Sequence, residues 1–336
     1  MKKCAIPWTI AWMLACASLA PAETRKIVVL DMPPEHIAEL QSVSPDARIV
    51  PVDEASLLGE AADADAIFGA ISPAILHAAR KLKWVQIYSA GVENYLFPEF
   101  QSSGVVLTNC KILMGPEIAD HAFALLLSLT RELNHAIAAR ASEEWRRGGF
   151  HPIELRGKTA VIVGVGGIGS QIAQRAHAFG MTVIGVDPKD MPLNPYVSRM
   201  VYPEQIDTVL PLADVLFISA PHTPKSEGMI GPRQFELMKK GAYFIAVSRG
   251  KVYDTGALVK ALDSRRLAGA GLDVTNPEPL PKGHPLWKFD NVVITPHIAG
   301  QSDNVEARQM ELYKENIAHF VKGEQLVNVV DKQKGY

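Results

Sequence analysis

Cysteine is scarce in this 336-residue chain: of three in all, Cys4 and Cys16 fall within the first 22 residues and only Cys110 lies beyond them. Processing after residue 22 would leave no partner for an intramolecular disulfide. With no Cys or His at ligand spacing around it, Cys110 reads as a small buried hydrophobe, and no metal is assigned. An excess of one charge sign is also missing, since 34 Lys and Arg stand against 36 Asp and Glu for a net charge of −2. Such a chain has no surplus of cations to neutralise phosphates or coat an anionic membrane, which excludes nucleic acid as a partner. Internal repeats, low-complexity tracts and a membrane-spanning run beyond the first segment are absent too. What is abundant is apolar: 48% hydrophobic residues can fill two cores, and the length suggests roughly two domains.

Lys2 and Lys3 precede an apolar run over 5–19 that ends in Ala20, Pro21 and Ala22, the order of a basic n-region, a short h-region and an A-x-A cleavage site. Residues 1–22 are expected to be a signal peptide. The processed protein would then have no stable membrane insertion and would be periplasmic or secreted. The alternative is a cytoplasmic protein with a buried first helix or an over-extended start.

After the leader, apolar runs at 26–31, 47–51, 66–69 and 84–88 alternate with helical patterns, a βαβα succession. A long amphipathic helix is expected over 116–140, with Ala122, Leu125, Leu126, Leu129 and Leu133 at helical spacing. A second series of runs follows at 159–165, 182–186, 214–220, 242–248, 272–274 and 291–296. Runs without polar alternation suit strands covered on both faces, hence parallel sheets. One more helix is expected over 303–321, returning to the first domain. The fold class is α/β, with two Rossmann-like or flavodoxin-like doubly wound domains.

Gly164, Gly166 and Gly169 stand in G-x-G-x-x-G spacing between a strand and a helical pattern, and the acidic Asp187 closes the next strand. The first glycine permits the sharp turn, the second lets backbone approach a pyrophosphate, and the third lets helix pack on strand. The pyrophosphate would meet unpaired N–H groups at a helix N-terminus. Asp187 could accept hydrogen bonds from both hydroxyls of the adenosine ribose and would repel a 2′-phosphate, so NAD is expected ahead of NADP.

Three ionisable residues follow expected strands: Arg249 after 242–248, Glu278 after 272–274 and His297 after 291–296. Ligands of open α/β sheets bind beyond the carboxyl ends of the strands, so these residues share an edge with the glycine turn.

The stretches GVGGIG, SAPHTPKSEGMIG, MKKGAYFIAVSRGKVYDTGALVKAL, GAGLDVTNPEPLP and NVVITPHIAG, in this order, resemble the D-isomer-specific 2-hydroxyacid dehydrogenase family over nearly the whole chain after the leader. The resemblance implies that Arg249 clamps the substrate, that His297 is the acid/base and that Glu278 is its partner. It also implies that Ser89, Ala90 and Gly91 offer backbone N–H groups to the substrate carboxylate. Asp273 and the backbone of Val247 would hold the nicotinamide carboxamide, while Gly167, Ile168 and Ala220 would line the dinucleotide. The NAD-binding domain would occupy 125–299, inserted into a substrate domain made of 23–124 and 300–336, with catalysis in the cleft between. A homodimer is the family expectation. Departures from the family pattern are Ala246 where Asn is common, Ser226 and Glu227 in place of a Thr-Arg pair, and Asp120 for a usual Glu.

The chemistry asks for the same residue types. Reducing a 2-oxo acid builds negative charge on its C2 oxygen, so a proton donor with a pKa near working pH is required, and His is the usual choice. A carboxylate beside it favours imidazolium and fixes the ring. A guanidinium holds carboxylate or carbonyl oxygens with parallel N–H bonds that lysine cannot copy. The expected function is NAD-dependent interconversion of a small 2-oxo acid and its D-2-hydroxy acid. The alternative is an NAD(H)-sensing binding protein, corepressor-like, with little or no turnover.

Overall fold

Strands form where the apolar runs lie, because β-branched and aromatic side chains covered on both faces leave the backbone free to pair in parallel. The computed structural model describes residues 24–145, 147–189 and 194–336, so the expected signal peptide lies outside the described residues. In the first unit the strands are β1 (Arg25–Leu30), β2 (Ala47–Val52), β3 (Ala66–Phe68), β4 (Trp84–Gln86) and β5 (Val106–Thr108). They pair in parallel in the order β2-β1-β3-β4-β5, the flavodoxin-like order. Ile27, Val28, Val29, Ile67, Phe68 and Trp84 are fully buried there.

The second unit contains β6 (Thr159–Val163), β7 (Thr182–Val186), β8 (Arg199–Val201), β9 (Val215–Ile218), β10 (Ala242–Ala246), β11 (Leu267–Leu272) and β12 (Val292–Ile294). Its parallel sheet runs β12-β11-β10-β9-β6-β7-β8, so the strand order reverses between β6 and β9, where open α/β sheets bind their ligands.

Helix Gly115–Thr130 begins with a proline in its first turn and lays Ile118, Ala122, Leu125, Leu126 and Leu129 onto the second sheet. Two elements differ from the sequence expectation. The helix expected over 116–140 is two helices, Gly115–Thr130 and Leu133–Ala141, with Glu132 between them in the left-handed region at φ 57°. The carbonyl of Thr130, which a continuing helix would need, instead accepts from Ile153 N at 2.9 Å. The strand expected at 272–274 is Leu267–Leu272, and its sequence LAGAGL hides it. A methyl group built on Gly271 would come within 2.7 Å of Leu125 Cβ, so the small residues that weaken the strand signal are those that let the helix lie close. Strand β8, with the sequence RMV and only Val201 buried, carries no apolar run that would signal it.

Helix Val305–Lys322 returns to the first sheet, as expected, packing Tyr313 edge-on to Phe68 at 5.6 Å between ring centroids and Phe320 against Trp84 at 5.1 Å. It stops at Gly323 in the left-handed region, φ 72°. Cys110 is fully buried, its Sγ 3.5 Å from Tyr313 Oη, and burial pushes its thiol pKa up. Among the described residues no helix is long and apolar enough to cross a membrane.

Candidate active site

The glycine turn lies at the switch point between β6 and β9. Gly164 has φ 89°, and a methyl group on it would sit 2.6 Å from the Ala220 backbone beyond β9; one on Gly169 would sit 1.9 Å from Gly164 O. Gly166 differs, because a methyl group there meets nothing within 4 Å. Gly166 is the N-cap of helix Gly167–Ala178, which Gly167 opens and Ile168 continues. Open space over unpaired helix N–H groups is what a pyrophosphate needs, and the residues present fit a dinucleotide. Asp187 stands just beyond β7 and is buried. Its Oδ2 accepts from Val165 N at 2.8 Å and its Oδ1 from Lys189 N at 3.0 Å, so the same carboxylate braces the glycine loop.

The three ionisable candidates leave the ends of three strands that are neighbours in the sheet. Arg249 follows β10, Glu278 lies in the loop after β11, and His297 follows β12. Gly250 packs against Thr275, where a methyl group would strike the Thr275 carbonyl at 2.0 Å. Thr275 N donates to Glu278 Oε2 at 3.2 Å, and Glu278 Oε1 lies 2.5 Å from His297 Nδ1. A chain of direct contacts thus links all three segments. The imidazole and its carboxylate are 43% and 40% exposed, which leaves a small molecule an approach to both.

Asp273 explains the position of His297. One residue past β11, it accepts His297 N on its backbone carbonyl at 2.9 Å. Its Oδ1 accepts from Thr295 Oγ1 at 2.6 Å and Ile298 N at 3.0 Å, and its Oδ2 from Ala299 N at 3.0 Å. His121 adds Nε2 at 2.8 Å from Thr295 Oγ1. His297 is held in the left-handed region, φ 57°, by this buried carboxylate. No pattern in the sequence signals that Asp273 holds this turn. Val247, buried directly after β10, donates its N–H to Ile218 O at 3.1 Å.

The loop after β4 meets Arg249 from the other sheet. Ser89 O accepts from Cys110 N at 3.0 Å, Ala90 O from Asn109 Nδ2 at 2.6 Å and Gly91 O from Ser89 Oγ at 2.7 Å, so carbonyl groups pin the loop. A methyl group on Gly91 would overlap Arg249 Nη2 at 1.8 Å. Arg249 Nη1 donates to Ser248 O at 2.7 Å, and its Nε donates to Glu93 Oε1 in a short contact. Sequence reading missed Glu93; the available signal was an acid two residues beyond Gly91. Burial pushes its carboxyl pKa up, but hydrogen bonding and charge from Arg249 outweigh this and hold it below the usual range. The contact is therefore present above the ordinary carboxyl range and is lost as pH falls through the lowered value.

The departures from the family pattern are accommodated locally. Asp120 accepts from Arg175 Nε at 2.7 Å, Glu227 lies 3.2 Å from His222, and Ser226 Oγ donates to Pro221 O at 2.7 Å.

A glycine turn at a switch point, an acid closing the second strand and an imidazole–carboxylate pair across a cleft define a two-domain nicotinamide-dinucleotide oxidoreductase. Residues 123–299 match the family model described as D-isomer specific 2-hydroxyacid dehydrogenase, NAD binding domain. A glyoxylate reductase of Thermococcus litoralis is 37% identical over 275 residues, covering 77% of this chain and 80% of that protein. A D-3-phosphoglycerate dehydrogenase of Archaeoglobus fulgidus is 34% identical over 264 residues, covering 76% of this chain and 49% of that protein. Among solved structures, a D-isomer specific 2-hydroxyacid dehydrogenase from Xanthobacter autotrophicus Py2 in complex with NADPH and MES has a TM-score of 0.81 at 25% identity, covering 92% of this chain and 99% of that one. A D-lactate dehydrogenase from Aquifex aeolicus complexed with NAD and lactic acid has a TM-score of 0.75 at 26% identity, covering 91% and 99%.

The chain belongs to the D-isomer-specific 2-hydroxyacid dehydrogenase family. It is an oxidoreductase that interconverts 2-oxo and 2-hydroxy acids with a nicotinamide dinucleotide, and the sensor alternative is not favoured.

The glycine geometry separates two substitutions. Gly169→Ala is expected to lower the melting temperature of the free protein. Gly166→Ala is expected to leave that temperature unchanged and abolish the upshift produced by NADH. Thermal melts with and without NADH test this, and the reverse pattern contradicts the assignment.

Proposed function

We propose that the protein reduces a small 2-oxo acid to its D-2-hydroxy acid, and runs the reverse reaction, with His297 as the acid/base, Glu278 as its orienting partner and Arg249 as the substrate clamp. The observation that carries this reading is the 2.5 Å His297–Glu278 pair at the ends of strands beside the one that delivers Arg249. The dinucleotide, when bound, supplies the hydride that reaches C2. His297 supplies the proton to the C2 oxygen as charge develops there, and the carboxylate of Glu278 favours the imidazolium that can do so. Arg249, braced through Nε and Nη1, offers its remaining edge toward the Gly91 loop, where Ser89, Ala90 and Gly91 N–H groups receive the substrate carboxylate. Asp273 and the backbone of Val247 would hold the carboxamide end of the cofactor, and Gly167, Ile168 and Ala220 would line the dinucleotide. The cofactor domain is 125–299, and the substrate domain is 23–124 with 300–336.

NAD is preferred over NADP, a reading supported by the buried carboxylate of Asp187 at the end of β7. In calorimetry the protein is expected to bind NADH more tightly than NADPH. His297→Ala is expected to keep that NADH binding while turnover with glyoxylate or another small 2-oxo acid falls by about 10²- to 10⁴-fold. Equal loss of binding and turnover, or unchanged turnover, contradicts the role.

Two further readings accompany this one. The protein is a homodimer, supported by helix Leu133–Ala141, which buries no residue and leaves Leu133 and Ile137 exposed, with Trp145 shortly after it 88% exposed. Sedimentation is expected to give a dimer for the wild type and a shift toward monomer for Ile137→Asp; a monomeric wild type overturns it. Residues 1–22 direct export, supported by the Lys2–Lys3, apolar run and Ala-Pro-Ala order. Amino-terminal sequencing of the mature protein is expected to begin at Glu23, and an intact Met1 favours the cytoplasmic alternative.

A further inference from the structure

In a doubly wound sheet the adenosine half of a dinucleotide lies between the loops that follow the second and fourth strands from the glycine turn. Here those walls are Asp187 and Lys189 after β7, and the segment through Thr223 after β9. A third element reaches this crevice, and it comes from the first unit. After helix Val305–Lys322 the chain runs back along the first sheet, where Val329 bridges Thr108. Lys332 Nζ then donates to the carbonyls of Phe100, Ser103 and Val105, each at 2.8 Å. Beyond this anchor, a turn in which Gly335 N donates to Asp331 O at 2.8 Å and Asp331 N to Tyr336 O at 3.2 Å carries the chain across to the second unit. A methyl group built on Gly335 would touch Thr223 and Leu96, each at 3.7 Å, so the turn lies against one wall of the crevice. Lys189 Nζ, from the other wall, sits 4.1 Å from the centroid of the Tyr336 ring. Burial first, and the neighbouring charge of Asp187 second, raise the Tyr336 phenol above its ordinary value, in keeping with a ring lodged near that carboxylate.

We propose that Tyr336 is a cofactor-binding residue: its ring forms the outer wall of the adenosine crevice, supplied by the unit that does not carry the glycine turn. This rests on the dinucleotide reading above and goes beyond it. The ring offers an apolar face to the adenosine, and its anchored backbone makes binding of that half hold the two units together. Parking the Lys189 ammonium over the ring also keeps a cation from the ribose 2′ position, where it would favour a 2′-phosphate.

The test is calorimetric binding of ADP-ribose, NADH and NADPH to the wild type, Tyr336→Ala and Tyr336→Phe, with melting temperatures as a check on folding. Tyr336→Ala is expected to weaken ADP-ribose and NADH by about tenfold, the size of one lost base–aromatic contact, and NADPH by less, because Lys189 is released. Tyr336→Phe, which keeps the ring, is expected to bind like the wild type. Equal ADP-ribose affinity in wild type and Tyr336→Ala overturns the inference, and tighter binding by Tyr336→Ala overturns it by marking the segment as a competitor. A wild type that binds no NADH overturns the dinucleotide reading itself, whereas binding that ignores residue 336 removes only this inference.

Discussion

A single buried carboxylate sets the position of His297 in this protein. Asp273 accepts from the Thr295 hydroxyl and from the N–H groups of Ile298 and Ala299, and its backbone carbonyl takes the N–H of His297. Four hydrogen bonds accepted by one residue hold the chain after β12 in a tight turn with His297 at positive φ. A buried acceptor is costly unless it is hydrogen-bonded, and here the bonds that satisfy it aim the imidazole at Glu278. Without that turn, His297 would sit on an ordinary surface loop.

The topology does the rest. Because β10, β11 and β12 are consecutive in the sheet, the residues just past their ends are neighbours although they lie far apart along the chain. The order reversal between β6 and β9 opens the crevice for a dinucleotide beside them. Across the cleft, the Ser89–Gly91 loop is held rigid through its carbonyls, and Glu93 reaches Arg249. Arg249 is thus oriented by both units at once, so its geometry depends on how closely they approach.

Legibility in the sequence followed the range of the forces involved. The glycine turn was readable because its demands are steric and local: Gly164, Gly166 and Gly169 lie within one strand-turn-helix unit. Strands β6 and β7 were readable because their apolar runs are continuous. Strand β11 was misplaced because its Ala and Gly residues answer to Leu125 and Leu129 on a helix more than a hundred residues away. The break at Glu132 was invisible because its cause, Ile153 N on Thr130 O, is tertiary. Arg249, Glu278 and His297 could be picked out by their places after strands, but their roles came from a family resemblance and not from spacing. Glu93 lies 156 residues from Arg249, and no local pattern announces that pair.

The proposed mechanism requires a guanidinium, an imidazole and a carboxylate to converge on one substrate beside the cofactor. A crystal structure of the protein with NADH and oxamate, an unreactive 2-oxo acid mimic, tests it most directly. His297 Nε2 and the Arg249 guanidinium are each expected within about 3 Å of oxamate oxygens, with His297 Nδ1 still on Glu278. Oxamate bound with His297 turned away from it, or held at a different face of the cleft, rules out these roles for His297 and Arg249.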